Sequence, residues 1–101
     1  MKTLIVHPEA EEEGNHEEEY YEERREGLGE EFRDILQNAL SRIEQNPKRY
    51  TRRIGPCQRL YLDRFPFSIV FEELEQSIFV YAIMHNKRRP FYWLHRRIPH
   101  E

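Results

Sequence analysis

The sequence predicts an α+β fold, a small and mostly antiparallel β-sheet with a two-helix hairpin on one face. Apolar residues recur every three or four positions between residues 28 and 43, which indicates an amphipathic helix. After residue 50 apolar and polar residues alternate in short runs, which indicates strands. At 101 residues and 38% hydrophobic content the chain supplies one small core, so residues 1–101 are expected to form a single domain.

The first elements are a short strand and an acidic helix. Residues 3–6, Thr-Leu-Ile-Val, have the β-type composition of a strand. Pro8 suits the first turn of a helix, where a missing N–H leaves no intrahelical bond unmade. The glutamates that follow suit the positive end of the helix dipole. This helix is expected to continue to about Glu26. Because its apolar face is thin, we expect it to be only weakly held to the core; the apolar residues are Ala10, Tyr20 and Tyr21.

A second helix is the most clearly predicted element. Its apolar pattern starts at Leu28, within the corner Gly27-Leu28-Gly29 that breaks the first helix. It is expected to end near Gln45, because Asn46-Pro47 disfavours its continuation. A glycine corner between two helices predicts that they run antiparallel. Its apolar stripe consists of Leu28, Phe32, Ile35, Leu36, Ala39, Leu40 and Ile43.

The rest of the chain is predicted to be an antiparallel meander. Four strands are expected, at residues 50–54, 58–62, 67–72 and 77–84, with a hairpin turn at residues 73–76. Strict alternation in the last strand puts one set of side chains on one face, namely Ile78, Val80, Ala82 and Met84. It puts the other set on the opposite face, namely Phe79, Tyr81, Ile83 and His85. With the helices covering one face, the other is expected to be free for function.

Charge is distributed unevenly along the chain. Residues 1–45 carry a net charge of -9, and residues 46–101 carry +6. Within the basic half, residues 84–97 read MHNKRRPFYWLHRR and combine cations with consecutive aromatics. Interleaved cations and rings are typical of a surface that binds a polyanion. The alternative is that the two halves neutralise each other across a packed interface.

Several classes of function are not indicated. No apolar run approaches the ~18 residues of a membrane span, and the N-terminal segment is too short for a signal peptide. The single cysteine, Cys57, has no partner for an internal disulfide, which favours a reducing, cytoplasmic location. The five histidines lack the spacing of metal ligands, and no phosphate-binding glycine loop is present. We therefore expect no metal, no cofactor and no membrane partner.

The order of these fragments resembles the RelE/ParE superfamily, the toxins of type II toxin–antitoxin systems, a group that includes plasmid stabilisation proteins. The resemblance runs from about Val6 to Arg97 and is carried by HPEAEEE, YYEERREGLGEEF, NPKRY, RLYLDRFPFSIVFE and YAIMHNKRRPFYWLHRR. It implies a compact β-α-α-β-β-β sheet with the helices on one face, in agreement with the α+β class predicted above. It also implies a toxin that cuts mRNA on the ribosome, or one that poisons DNA gyrase, and a cognate antitoxin protein as partner.

The resemblance implies four catalytic residues, Arg59, His85, Arg88 and Tyr92. Arg59 would support the charge of a phosphorane-like transition state, because a guanidinium is permanently charged and binds phosphate bidentately. His85 would transfer protons near neutral pH. Arg88 would hold phosphate and Tyr92 would stack on the substrate. The alternatives are a salt bridge from Arg59 to a helix glutamate, a structural histidine, and an aromatic side chain folded into the core.

Further residues are implied as RNA contacts: Arg52, Arg53, Arg89, Trp93, Arg96 and Arg97. For Trp93 a place in the core is the favoured alternative. RelE-type nucleases use lysines on the second strand, whereas this chain has Arg52 and Arg53 there. Arginine stays protonated and so stabilises charge without acting as a base.

Three functional hypotheses remain open. The first is a metal-independent, ribosome-dependent mRNA endonuclease. The second is a ParE-like inhibitor of DNA gyrase that performs no chemistry, and the third is a degenerate, non-toxic relative. In each case the basic segment at residues 84–97 is expected to face a polyanion or an acidic antitoxin.

Overall fold

A computed structural model describes residues 1–96, which form five strands, two α-helices and one 3₁₀ turn. Both helices begin at the predicted residues, and the second also ends where predicted, at Gln45. The strand before Gly55 is shorter than predicted and has only two residues. In chain order the elements are β1 Thr3–Val6, α1 Pro8–Arg24, α2 Leu28–Gln45, a 3₁₀ turn Pro47–Arg49, β2 Arg53–Ile54, β3 Cys57–Tyr61, β4 Phe67–Glu73 and β5 Ser77–His85.

The five strands form one sheet in the order β1-β5-β4-β3-β2. The strands β2 to β5 pair antiparallel with their neighbours, as predicted. The first strand pairs parallel with β5, with Thr3 opposite Ser77 and Val6 opposite Val80. The α+β class is therefore confirmed, and the sheet is mixed rather than a pure antiparallel meander. A parallel pair needs a crossover, which the helical hairpin supplies.

Local side chains fix both helix starts. The ring nitrogen Nδ1 of His7 accepts a hydrogen bond from the backbone N–H of Glu9 at 3.0 Å, so a histidine caps α1 one residue before Pro8. The Glu22 carboxylate of α1 accepts from the N–H groups of Gly27 and Gly29, at 2.9 and 3.0 Å. It thereby satisfies donors that the first turn of α2 leaves open. A Cβ on Gly29 would lie 2.5 Å from the Glu18 carbonyl oxygen, so the helices meet closely there.

We call the sheet face under the two helices the helix face. Its core contains Phe32, Leu36 and Ile43 of α2, packed on Ile69 and Phe71 of β4. From α1 only Ala10 and Gly14 are buried, which agrees with its thin apolar face. In addition, α1 makes the partly buried polar contacts of Glu13 described below, which the sequence pattern did not indicate.

A β-bulge in β5 overturns the predicted alternation of that strand. Phe71 lies opposite Val80, whereas the preceding residue, Val70, lies opposite Ala82, so Tyr81 is an extra residue. Beyond the bulge the faces exchange. The side chains of Ala82 and Met84 pack on the face opposite the helices, and those of Ile83 and His85 lie on the helix face.

We call the face opposite the helices the outer face. It is not free, as the sequence suggested, because the C-terminal segment, residues 86–96, folds back over part of it. Trp93 is fully buried there, and its ring centroid lies 5.3 Å from that of Tyr81. Phe91 packs beside Trp93 and against Gly55 in the β2–β3 turn. The favoured alternative for Trp93, a place in the core, is the observed one.

Within residues 1–96 no helix combines the length and the apolar character that a membrane crossing requires.

Candidate functional site: a basic groove at the edge of the sheet

An open groove of about 510 Å³ lies beside β3, where β2 has ended and β3 becomes the edge of the sheet. We call it the basic groove; its lining residues are Arg49, Tyr50, Thr51, Arg52, Arg59, Leu60 and Tyr61. Three guanidiniums therefore share one concavity with an exposed ring, since Tyr61 is 40% exposed. Such a surface offers charge for phosphates and a ring face for stacking.

The arginines of the groove have no acidic partners in the described part of the chain. Among residues 1–96, no carboxylate oxygen lies within 4.0 Å of a side-chain nitrogen of Arg49, Arg52 or Arg59. The salt bridge to a helix glutamate that was the alternative for Arg59 is therefore not seen. Arg59 and Arg52 instead lie against the Tyr61 ring, with Cζ 4.5 and 5.4 Å from its centroid.

Neutral oxygens orient the guanidinium of Arg59. Its Nε donates to the hydroxyl of Ser68 at 3.1 Å, and its Nη2 lies 3.5 Å from Oδ1 of Asn86. The Ser68 hydroxyl in turn donates to the same Asn86 oxygen. Because Ser68 is fully buried, Ser68 and Asn86 form a rigid support for the guanidinium of Arg59. Arg59 thus keeps its full positive charge and part of its hydrogen-bonding capacity.

His85 does not join Arg59. The two residues lie on opposite faces of the sheet, because Phe67, the register partner of His85, belongs to the helix-face core. The ring centroids of His85 and Phe67 are 5.0 Å apart. Its Nδ1 accepts from the backbone N–H of Lys87 at 3.1 Å. The bulge at Tyr81 causes this placement, and strict alternation could not have revealed it.

Tyr92 is also separate from Arg59. Its hydroxyl donates to Oε2 of Glu13 at 2.7 Å, and the guanidinium of Arg88 stacks on its ring with Cζ 3.7 Å from the centroid. Burial, followed by the hydrogen bond and charge of Glu13, raises the pKa of the Tyr92 hydroxyl well above its usual value. The hydroxyl is therefore protonated at neutral pH and committed to Glu13.

Glu13 is the centre of a partly buried group of polar side chains, which we call the node. Its two oxygens accept from Nη1 and Nη2 of Arg96 at 3.0 and 2.9 Å, and Oε1 also accepts from the backbone N–H of Ile83 at 3.0 Å. Arg96 donates further to the carbonyl oxygen of Tyr81 at 2.7 Å. Burial lowers the pKa of the Arg96 guanidinium, but the hydrogen bonds and charge of Glu13, with smaller contributions from Tyr92 and Glu9, together outweigh burial and raise it. The node holds the C-terminal segment to α1 and β5.

The remaining predicted RNA contacts fall into three groups. Arg52, Arg53 and Arg89 are exposed, although Arg53 also donates to the carbonyl oxygen of Pro56 at 2.6 Å. Arg96 and Trp93 are buried, so the structure corrects the prediction that they face a ligand. Arg97 lies outside the described residues.

Sequence reasoning missed several residues that the structure brings to the site. Arg49 and Tyr61 line the basic groove, and Ser68 and Asn86 orient Arg59. A signal existed for Tyr61, which alternation places on the same strand face as Arg59. The partnership of Glu13 with Tyr92 and Arg96 has no local signal, because these residues lie at opposite ends of the chain.

In the described part of the chain, no three histidine, cysteine, aspartate or glutamate side chains are grouped so that they could hold a metal ion. The single thiol, Cys57, is fully buried. Burial, with a smaller contribution from Glu72, raises the pKa of Cys57 to about 12, so the thiol is neutral and a poor nucleophile at physiological pH.

Comparison with known proteins identifies the fold. No protein-family model and no curated protein matches the sequence. Among solved structures, a chain of the chromosomal ParDE TA system from P. aeruginosa superposes with a TM-score of 0.63 at 18% sequence identity. The match covers 84% of this chain and 96% of the other. The RelE/ParE-like fold implied by the sequence resemblance is confirmed.

Proposed function

We propose that this protein is the toxin of a toxin–antitoxin pair and that it acts on RNA bound in the basic groove. The observation that carries the proposal is the pair Arg52 and Arg59 at the exposed Tyr61 ring, with Arg49 in the same groove and no carboxylate partner for the three among residues 1–96. The RelE/ParE-like fold, shared with a chain of a ParDE system, supports the assignment to toxins.

The groove suits a single strand of RNA better than a duplex. It is an edge feature with one exposed ring, on which an unpaired base can stack for roughly 1–3 kcal/mol. The guanidiniums of Arg52 and Arg59 lie against the same ring, so a stacked base would bring its phosphates within their reach. Unpaired bases are also what proteins recognise most often in RNA.

Within this proposal Arg59 is the one catalytic residue at the groove. If the 2′-hydroxyl of the RNA attacks its own 3′-phosphate, the bond from phosphorus to the 5′-oxygen of the next nucleotide breaks and a 2′,3′-cyclic phosphate forms. Water takes the 2′-hydroxyl proton and protonates the leaving 5′-oxygen, and Arg59 stabilises the negative charge that develops on the phosphorus oxygens. His85 and Tyr92 have no part in the reaction, because the first lies on the helix face and the second is bonded to Glu13. General acid–base catalysis typically contributes 10²–10⁴-fold, so cleavage by the groove alone is expected to be slow.

The separation of His85 and Tyr92 from Arg59 favours a second candidate function, a ParE-like inhibitor of DNA gyrase that performs no chemistry. Such a toxin needs a binding surface and no proton-transfer group. The exposed cations of the basic groove, together with Arg89, would then contact the gyrase–DNA complex. The two candidates share the groove and differ in its target.

A cognate antitoxin is the proposed partner. An acidic segment of the antitoxin would complement the unpaired arginines of the groove and exclude RNA from it. Charge reversal of the exposed Arg52 and Arg89 to glutamate is therefore expected to weaken the complex. The antitoxin would be encoded by a short reading frame next to this one, and a complex unaffected by the double reversal would place the antitoxin elsewhere.

The experiment that tests the function is induction of the protein without an antitoxin, followed by mapping of transcript 5′ ends and of plasmid topology. Action on RNA predicts growth arrest with new 5′ ends inside reading frames and intact plasmid DNA. Action on gyrase predicts arrest with intact transcripts and broken or relaxed plasmid. Unimpaired growth of the induced cells would contradict both and leave a non-toxic relative.

A further inference from the structure

We infer that Ser68 and Asn86 are positioning residues that present Arg59 as a phosphate-binding subsite. The inference rests on the proposed function, since the subsite is part of the basic groove. It goes further by assigning a role to two neutral residues, which orient that arginine.

The geometry of the three side chains carries the inference. Ser68 Oγ receives the Nε proton of Arg59 at 3.1 Å, and Asn86 Oδ1 lies 3.5 Å from Nη2. The side chain of Asn86 is itself held by the Ser68 hydroxyl, and its backbone N–H donates to the carbonyl oxygen of Pro66 at 2.8 Å. The guanidinium is therefore fixed at one edge by groups that are fixed themselves.

The chemistry of the two acceptors is as informative as their position. Proteins usually fix a partly buried arginine with a carboxylate, which orients the guanidinium and also neutralises it. Here a hydroxyl and an amide oxygen orient Arg59 and leave its charge uncompensated within residues 1–96. Of its five N–H donors two point to these acceptors, and Nη1 has no recorded partner among the described residues. The free donors suit an oxyanion.

The surroundings add a second, independent reason to expect an anion. The guanidiniums of Arg59 and Arg52 both lie within cation–π distance of the Tyr61 ring, and Arg49 lines the same groove. Like charges that share one groove repel one another, and a bound anion relieves that repulsion. A phosphate diester supplies the anion, and the nucleotide base that comes with it can stack on Tyr61.

The test measures binding of a labelled single-stranded RNA of about 12 nucleotides, and binding of inorganic pyrophosphate, to wild type and to variants of Asn86. The decisive variant is Asn86→Asp, which keeps an oxygen acceptor for Ser68 and Arg59 but neutralises the guanidinium. We expect an unchanged or raised thermal midpoint together with RNA binding weakened about tenfold or more. The slope of log affinity against log salt should fall by about 0.7 in magnitude, the value of one phosphate contact on a single strand.

Two further variants separate positioning from charge. Asn86→Ala and Ser68→Ala leave the cation in place but release one edge, and each should weaken RNA binding about fivefold. Asn38→Asp adds the same negative charge at an exposed position of α2 and should change neither affinity nor slope by a comparable amount. Folding of each variant is checked by circular dichroism before binding is measured.

The outcomes distinguish this inference from the proposed function. Wild-type affinity and salt slope in Asn86→Asp would overturn the subsite even if RNA binds well elsewhere. If the wild type binds pyrophosphate but not RNA, and Asn86→Asp abolishes pyrophosphate binding, the subsite is supported and RNA is overturned as the target. An equal loss of RNA affinity in Asn38→Asp and Asn86→Asp would show that the effect comes from net charge alone, and it would also overturn the subsite.

Discussion

The carboxylate of Glu13 on α1 accepts a hydrogen bond from the hydroxyl of Tyr92 at 2.7 Å, across 79 positions of the sequence. The same carboxylate makes two hydrogen bonds with Arg96, whose side chain is only 5% exposed. One acidic side chain thus fastens the C-terminal segment to the first helix. The contact explains why Tyr92 and Arg96 do not take part in the basic groove.

The first prediction concerns the contact of Glu13 with Tyr92 and Arg96. Replacing Glu13 by alanine removes the nearest counter-charge of the buried Arg96 and leaves only Glu9, at 4.0 Å. Loss of one partner of a buried pair costs about 3–5 kcal/mol, and the remaining charge of Glu9 puts the expected loss at the lower end of that range. Urea unfolding should show that loss. Amide hydrogen exchange at residues 88–96 should accelerate more than exchange in β3 and β4.

Glu13→Gln is the milder companion variant, because its amide oxygen still accepts from Tyr92 or Ile83, and it should lose less stability than the alanine variant. The exposed Glu12 on the same helix provides the control, and Glu12→Ala should change the free energy of unfolding by at most about 0.5 kcal/mol. Similar losses in the Glu12 and Glu13 variants would contradict the role of the node.

The second prediction concerns the packing of the C-terminal segment on the outer face. Trp93 is fully buried between Tyr81 and Phe91, so Trp93→Ala should cost about 3–5 kcal/mol of the free energy of unfolding. The neighbouring Leu94 is 52% exposed, and Leu94→Ala should cost at most about 0.5 kcal/mol. Tryptophan emission that is already red-shifted in the native wild type would show that Trp93 is exposed and that this packing is absent.

The third prediction is a pH dependence at the end of β4. Hydrogen bonds from Lys48 and Lys2 lower the pKa of Glu73 below its ordinary 4.5. A carboxyl whose pKa falls on folding stabilises the native state above its unfolded pKa and loses that contribution as pH drops through the folded value. Glu73→Gln should therefore be less stable than wild type at neutral pH, by up to about 1 kcal/mol, because Lys48 is exposed and Lys2 is about one third exposed.

The difference between Glu73→Gln and wild type should shrink as the pH is lowered below 4.5. Thermal unfolding across that range measures it, with Glu75→Gln, at an exposed position in the following turn, as the matched control. A stability difference that is constant with pH would show that the lysine contacts do not depend on the charge of Glu73.

The fourth prediction concerns the single thiol. Burial raises the pKa of Cys57 to about 12, so the native protein should react very slowly with iodoacetamide at neutral pH. Unfolding in urea should restore the rate of an ordinary cysteine. Rapid alkylation of the native protein, followed by mass spectrometry, would show that β3 opens readily.

Local signals account for what the sequence could predict. Pro8, Gly27 and the pair Asn46-Pro47 mark helix boundaries through backbone chemistry that acts within a few residues, and the two α-helices begin where these residues predict. The approximate positions of the strands after Gly55 follow from the alternation of apolar and polar residues and from the turn residues between the strands. These signals need no knowledge of the tertiary structure.

Two features of the site depend on contacts that sequence patterns do not record. The bulge at Tyr81 exchanges the faces of β5 and moves His85 away from Arg59, although strict alternation had placed His85 and Tyr81 together. Glu13, one of a run of glutamates, differs from its neighbours only because it meets Arg96 and Tyr92 in the folded chain. Its role could not be separated from that of a solvated glutamate.

The basic groove could be predicted from the sequence only in part. Arg52 and Arg59 were predicted as ligand-binding residues, and the structure brings them together around Tyr61. Their partners Ser68 and Asn86 come from β4 and the turn after β5, so the orientation of Arg59 emerges only when the sheet forms.

The most direct test of the central claim, that the basic groove is the target site of a toxin, is the growth of cells induced to express the double variant Arg52→Gln/Arg59→Gln. The matched control is Arg24→Gln/Arg25→Gln, which removes two exposed arginines at the end of α1. With equal expression and native circular dichroism in all three proteins, we predict arrest by wild type and control and normal growth with the groove variant. Arrest by the groove variant as strong as that by wild type would contradict the claim.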